Sequence, residues 1–157
     1  MGEVDSRMTA SHSKDIRQRC LTAFQKLRRI EESDADGYVT CISCGRVMKW
    51  SEAQGGHYIG RSCRSTEIEH DNVWPQCPTC NGELHGNVLR YRYRLVKKIG
   101  EDRVRRLELM EEATRGSDEA LEQLSEKDRQ NVMMKRSKGF YAEKRNEINA
   151  RIIKLTH

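Results

Sequence analysis

Two cysteine pairs constrain this chain more than anything else in it: Cys41-Ile-Ser-Cys44 and Cys77-Pro-Thr-Cys80. A Cys-x-x-Cys knuckle turns two thiolates toward one point, and two knuckles complete a tetrahedral zinc site. Gly45, directly after Cys44, suits the tight turn this needs, because glycine tolerates positive φ. A site closed by four thiolates leaves no open position, so its zinc is expected to be structural, not catalytic. A redox reading would require a thioredoxin-like βαβ context, which neither pair has. Of the six cysteines, Cys20 and Cys63 remain, and neither has a partner at short spacing. That argues against a disulfide framework.

The rest of the chain explains why a metal would be needed. Its 157 residues are 36% hydrophobic and 34% charged, enough for one domain and an appendage around a small core. Structural zinc contributes on the order of 10 kcal/mol, enough to hold a core-poor segment together. The net charge of +5 says little by itself. Its distribution says more: Lys14–Arg29 and Arg90–Arg106 are rich in basic residues, and Glu108–Asp128 is mostly acidic. This fits a basic face for phosphates, or solvated, salt-bridged helix surfaces. The first residues hold no apolar run of the secretory kind, and no run is long enough to span a membrane. A reducing, cytoplasmic setting is the expectation.

Periodicity predicts an α+β chain with a disordered stretch at 1–13. A helix follows over 14–36, with Ile16, Cys20, Ala23, Phe24, Leu27 and Ile30 on one stripe. The zinc-bound core spans 37–100, with strands at Tyr38–Thr40 and around His57 and helical order from Asn81 on. There Val88, Tyr91, Leu95 and Ile99 form a stripe that Gly100 ends. The region 101–157 reads as helical, with Ser117 and Ser125 as N-caps. Its last helix carries Tyr141, Ile148, Ile152 and Leu155, a stripe too short for a coiled coil and suited to packing on the parent domain.

Between and beside the knuckles lie groups that could do chemistry. His57 sits among small residues in Gly55-Gly56-His57-Tyr58, and Asn81 directly follows the last knuckle cysteine. The order is compatible with ββα-metal nucleases, in which a β-hairpin supplies a histidine base and the next helix a metal ligand. Phosphodiester hydrolysis needs water deprotonated near neutral pH, which suits a neutral imidazole. It also needs a divalent cation, and Mg²⁺ or Mn²⁺ keeps most of its waters, so one Asn carbonyl could suffice. Taken alone, His57 reads equally as an incidental histidine. Arg61 is a candidate to stabilise the transition-state phosphate, or an ordinary surface arginine. Arg90, Arg92, Arg94, Lys97 and Lys98, on the helix after Asn81, are candidate DNA contacts or a solvated face. Trp50 and Trp74 read as core packing, and Asn87 as a residue that caps or orients the helix start.

The chain resembles the phage lambda NinG (Rap) recombination proteins, from about Ala23 to Leu107. The resemblance rests on Cys41-Ile-Ser-Cys44-Gly45, Gly56-His57-Tyr58, Asp71-Asn72-Val73, Gln76-Cys77-Pro-Thr-Cys80-Asn81, Gly86-Asn87, Tyr91-Arg92 and Ile99-Gly100. It implies a zinc-stabilised ββα-metal (HNH-like) core flanked by helices. It also implies structure-specific endonuclease action on Holliday junctions and D-loops in phage recombination, in the host cytoplasm. The Cys-x-x-Cys-Asn ending is also similar to a zinc-containing phage junction resolvase, endonuclease VII. By these similarities His57 is the general base, Asn81 the ligand of the catalytic cation, and Asn72 the asparagine that orients the catalytic loop. Many HNH enzymes carry an acid before the base histidine, where this chain has Gly56. A second carboxylate ligand would have to come from elsewhere, with Glu69, Asp71 and His85 as candidates. Paired incision of a junction would need two active sites, hence a homodimer, which no residue here establishes. The rival expectation is a non-catalytic zinc-knuckle module that grips DNA or a protein.

Overall fold

The computed structural model describes residues 6–157, with side chains described from Asp15 onward. Of the stretch expected to be disordered, residues 1–5 lie outside the described residues, and 6–13 are instead part of the first helix. Helix α1 spans Ser6–Glu31, and its apolar stripe is the one the periodicity predicts. Cys20, Phe24 and Leu27 pack with Tyr141, Ile148 and Ile152 of the last helix, α6 (Lys138–Thr156), and with Val73. The stripe on α6 therefore serves the parent domain, as short length demands.

Two small antiparallel sheets carry the cysteines. Strands β1 (Tyr38–Thr40) and β2 (Val47–Lys49) form a hairpin around the first knuckle, with Thr40 opposite Val47. Strands β3 (Gln54–His57) and β4 (Val73–Gln76) pair with His57 opposite Val73 and Gln54 opposite Gln76. The sheets meet where the Ile42 amide donates to the Pro75 carbonyl at 2.9 Å. Against β3 lies α1, so close that a Cβ at Gly55 would come within 2.6 Å of Gln25 Cβ. Only glycine lets the helix settle there.

Helical order returns later than expected. Asn81 lies on a single π-helical turn, Thr79–Glu83, and helix α2 begins at Val88 and ends at Ile99. Between them His85 and Asn87 take left-handed conformations, with φ of 50° and 44°, which separate the turn from the helix. Tyr91 and Leu95 are buried as the stripe requires, whereas Val88 is exposed. Helices α3 (Glu101–Thr114), α4 (Asp118–Gln123) and α5 (Glu126–Met133) follow. Ser117 and Ser125 cap α4 and α5 as read from the sequence, accepting from the Ala120 and Asp128 amides at 3.1 and 3.2 Å. Among the described residues, no helix is long and apolar enough to cross a membrane.

Candidate metal centre and active site

The knuckles converge. The Sγ atoms of Cys41, Cys44, Cys77 and Cys80 all lie within 4.8 Å of one another, and Cys44 and Cys77 are 3.8 Å apart. A zinc tetrathiolate with bonds of about 2.3 Å has sulfur–sulfur edges of roughly 3.8 Å, so these four cysteines could hold a zinc ion. Gly45, at φ +80°, makes the turn that closes the first knuckle, its amide donating to the Cys41 carbonyl at 2.9 Å. The second knuckle is dressed by N–H···S bonds: Cys80 N to Cys77 Sγ and Asn87 Nδ2 to Cys80 Sγ, both 3.4 Å. Such donors stabilise thiolate ligands. Asn87 therefore serves the cluster with its side chain instead of capping α2. Burial pushes the Cys41 thiol up, but hydrogen bonds from the Cys44, Cys77 and Ser43 backbone outweigh it, and its pKa falls to about 7.

His57 ends β3 with its Nε2 2.8 Å from the carbonyl oxygen of Glu67. A carbonyl only accepts, so Nε2 carries the proton and the neutral ring keeps its lone pair on Nδ1. Among the described residues Nδ1 has no hydrogen-bond partner. Burial lowers the His57 pKa below its ordinary 6.5; the bond to the Glu67 carbonyl opposes this, and the Arg61 cation reinforces it.

The carbonyl that orients His57 is itself fixed. The buried Glu67 carboxylate takes two bonds from Arg17 of α1, at 3.1 and 2.7 Å, and one from the Tyr141 hydroxyl of α6, at 2.6 Å. Arg17 also donates to the Arg61 carbonyl at 2.8 Å. Asn72 closes the loop from behind: its Oδ1 accepts from Ile59 N at 2.7 Å, and its Nδ2 donates to the Ile59 and Thr66 carbonyls at 3.0 and 2.9 Å. Its amide is spent on holding the loop, away from solvent.

A surface cavity of about 270 Å³ is lined by Arg29, Gln54, Gly55, Arg61 and Asn81 with parts of α1; His57 is not among its lining residues. Side chains alternate along a strand, so His57 shares a face of β3 with Gly55. Asn81 Nδ2 donates to Gln54 Oε1 at 2.8 Å, and among the described residues Oδ1 has no partner. Among the described residues, two cations and no carboxylate line the cavity, an arrangement suited to a phosphate. Sequence reasoning missed Arg29, Gln54, Glu67, Arg17 and Tyr141, because nothing in local spacing marks residues that meet only in three dimensions.

Two of the candidates for a second ligand are paired with arginines, and the third is exposed. Glu69 pairs with Arg106 at 3.2 Å, Asp71 is bonded by Arg103, and His85 stands on an exposed turn. Gly56 does not offer a place for the missing acid. A Cβ there would collide with the amide oxygen of Gln76 and come within 2.9 Å of Gln76 Cδ. Gln76 is fully buried, donating to Ser43 Oγ at 2.9 Å and to the Gly86 carbonyl at 2.6 Å, so it has nowhere to go. Gly56→Asp is therefore expected to cost about 1–3 kcal/mol of stability by overpacking and to add no metal affinity. Thermal unfolding with and without Mg²⁺ checks both halves; a variant that melts like the parent would refute the steric argument.

The basic residues of α2 divide. Arg92 is paired with Glu108 at 2.6 Å and Glu101 at 2.7 Å, so a phosphate there would compete with two carboxylates. Lys98 lies 3.6 Å from Glu32 and 5.0 Å from the centroid of the Trp74 ring. Arg90 and Lys97 are exposed. Trp74 is a packing residue: its Nε1 donates to the Asp71 carbonyl at 2.7 Å, and Arg28 stacks on the ring at 4.6 Å. Cys20 is core, its thiol pushed up to about 11 by burial, and Cys63 is buried beside Ser65 and Thr114.

Fold and cluster together define a small α+β protein built mostly of helices around a four-cysteine site that could hold zinc. The family model described as "Bacteriophage Lambda NinG protein" matches residues 6–138, and the chain belongs to this NinG family of lambda-like phage. It is 32% identical over 92 residues to Protein ninG of Escherichia phage 933W, covering 58% of this chain and 42% of that one. Against Protein ninG of Escherichia phage lambda the figures are 32% over 92 residues, 58% and 41%. Against that of Salmonella phage P22 they are 32% over 84 residues, 53% and 37%. The alignment thus spans under half the length of these relatives. No solved structure matches the chain.

Proposed function

We propose that this chain is a divalent-metal-dependent DNA endonuclease of the ββα-metal (HNH-like) kind, acting on branched DNA such as Holliday junctions and D-loops during phage recombination. The observation that carries the reading is the His57–Glu67 hydrogen bond. It holds a neutral imidazole with Nδ1 free, on the strand face that Gly55 shares with a cavity bearing Arg29, Arg61 and Asn81. An imidazole with that tautomer and a lowered pKa can take a proton from water at neutral pH. Arg29 and Arg61 would receive the phosphate, and Arg61 would meet the charge that grows on it. Asn81 Oδ1 is the protein oxygen available to Mg²⁺ or Mn²⁺, which when bound would stabilise the leaving oxygen. Asn72 and Glu67 would position the loop without touching substrate.

The test is incision of a labelled four-way junction, a D-loop and a linear duplex by purified, zinc-loaded protein, with and without Mg²⁺. Metal-dependent cutting that favours the branched substrates is expected. Asn81→Ala should lose cutting while retaining junction binding, because the cavity keeps both arginines. A second reading, a module that binds DNA or a protein without cutting it, draws support from the pairing of Glu67, Glu69 and Asp71 with arginines. It requires that binding persists and incision never appears under any divalent metal.

A further inference from the structure

A second concavity lies against α2 and shares no lining residue with the cavity beside Asn81. It measures about 270 Å³ and is formed by Thr40, Cys41 and Ile42 of the first knuckle with Tyr93, Arg94, Lys97 and Lys98. Among the described residues, no carboxylate lines it. Arg94 has no acidic partner among the described residues, and its Nε is buried without any hydrogen bond. Its guanidinium rests over Gly45, where a Cβ would come within 3.1–3.3 Å of it. A half-buried guanidinium with no carboxylate partner, facing only the neighbouring thiolate cluster, keeps donors for a phosphate.

Beside it stands Tyr93, 63% exposed, with the Lys97 ammonium 4.3 Å from the ring centroid on one side. A cation on one face of an exposed ring leaves the other face open to a flat partner. An adjoining cavity shares Thr40, Ile42 and Lys98 but includes Glu32 and Asp34, so the positive stretch ends there. In the other direction it continues past Arg94 to exposed Arg90.

We infer that this groove holds an unpaired DNA strand, with phosphates on Arg94 and Lys97 and one base stacked on Tyr93. A duplex keeps its base faces inside the stack and could use only the cations; an aromatic beside them is of use to a splayed base. The inference rests on the DNA reading above for its choice of polymer, and a branch point is where such a substrate offers single-stranded character.

The experiment is fluorescence anisotropy with zinc-loaded full chain and no divalent metal, comparing a short labelled oligothymidylate with a blunt hairpin duplex. Tyr93→Ala should weaken oligothymidylate binding by about tenfold and leave the hairpin unaffected, while Tyr93→Phe should bind like the parent. Arg94→Gln should lower the salt dependence of oligothymidylate binding by about one counterion, with zinc content unchanged. Equal losses on both probes, no loss in either variant, loss that tracks released zinc, or competition by polyglutamate as strong as by DNA would each overturn the inference. Cleavage is scored separately. A chain that binds oligothymidylate through Tyr93 yet never cuts a junction would remove the endonuclease reading and leave the groove. A chain that cuts while Tyr93→Ala binds normally would do the reverse.

Discussion

Removing metal from the cysteine cluster is expected to unfold the two sheets and leave part of the helical structure standing. The apolar residues packed there are few: Val39, Met48 and Ala53, with Cys41, Cys77 and Cys80 themselves. Strands of three or four residues in two-stranded sheets are marginal without outside support. Structural zinc supplies on the order of 10 kcal/mol, comparable with the whole stability of a small domain. Without it, the cluster would be a set of thiols with little core behind them. The α1–α6 cluster, built on Phe24, Leu27, Tyr141, Ile148 and Ile152 with Val73 of β4, shares no buried residue with the cysteine cluster, so some helical signal should survive. Chelator titration followed by circular dichroism, thiol alkylation and bound-zinc measurement tests this. Four thiols should become reactive as zinc leaves, and Cys41→Ser should reproduce the effect. A metal-free chain with the parent's melting temperature and unreactive thiols would remove zinc from the account.

What the sequence made legible follows from how local each signal is. Cys-x-x-Cys fixes two ligands within one turn, and a helical stripe repeats within a few residues, so the cluster, α1 and α6 could be read directly. The serine caps at 117 and 125 are equally local. The start of α2 was misplaced because left-handed His85 and Asn87 interrupt a run whose composition looks helical, and Asn81 was left on its own short turn. The ion pairs of Arg92, a candidate DNA contact or part of a solvated face, were not legible because charge along a helix says nothing about acids on another helix; Glu101 and Glu108 belong to α3. Glu67 had no signal at all. Its place beneath His57 depends on Arg17 and Tyr141, which are remote from it in the chain and come from opposite ends of the fold. The absent acid at Gly56 was visible, but its cause, the Gln76 side chain filling the space, was not.

Replacing His57 by alanine is expected to reduce junction cutting by about 10²–10⁴-fold while junction binding persists, since general-base catalysis contributes about that much. The pH dependence carries the sharper test. The active form is the neutral ring, so the rate constant kcat/KM should rise with pH and level off once the ring has lost its proton. Burial lowers the His57 pKa below 6.5, with Arg61 and Arg17 adding to the effect and the Glu67 carbonyl opposing it. The acid limb should therefore fall below the ordinary histidine range, and the plateau should already be reached at neutral pH. Removing the Arg61 charge, as in Arg61→Gln, should move that limb upward toward the ordinary value, because one of the cations that disfavours the imidazolium is gone. A merely structural role for Arg61 would change the size of the rate and leave the midpoint where it was. If wild-type protein cuts with no acid limb, or His57→Ala cuts as well as the parent, some group other than this imidazole activates the water.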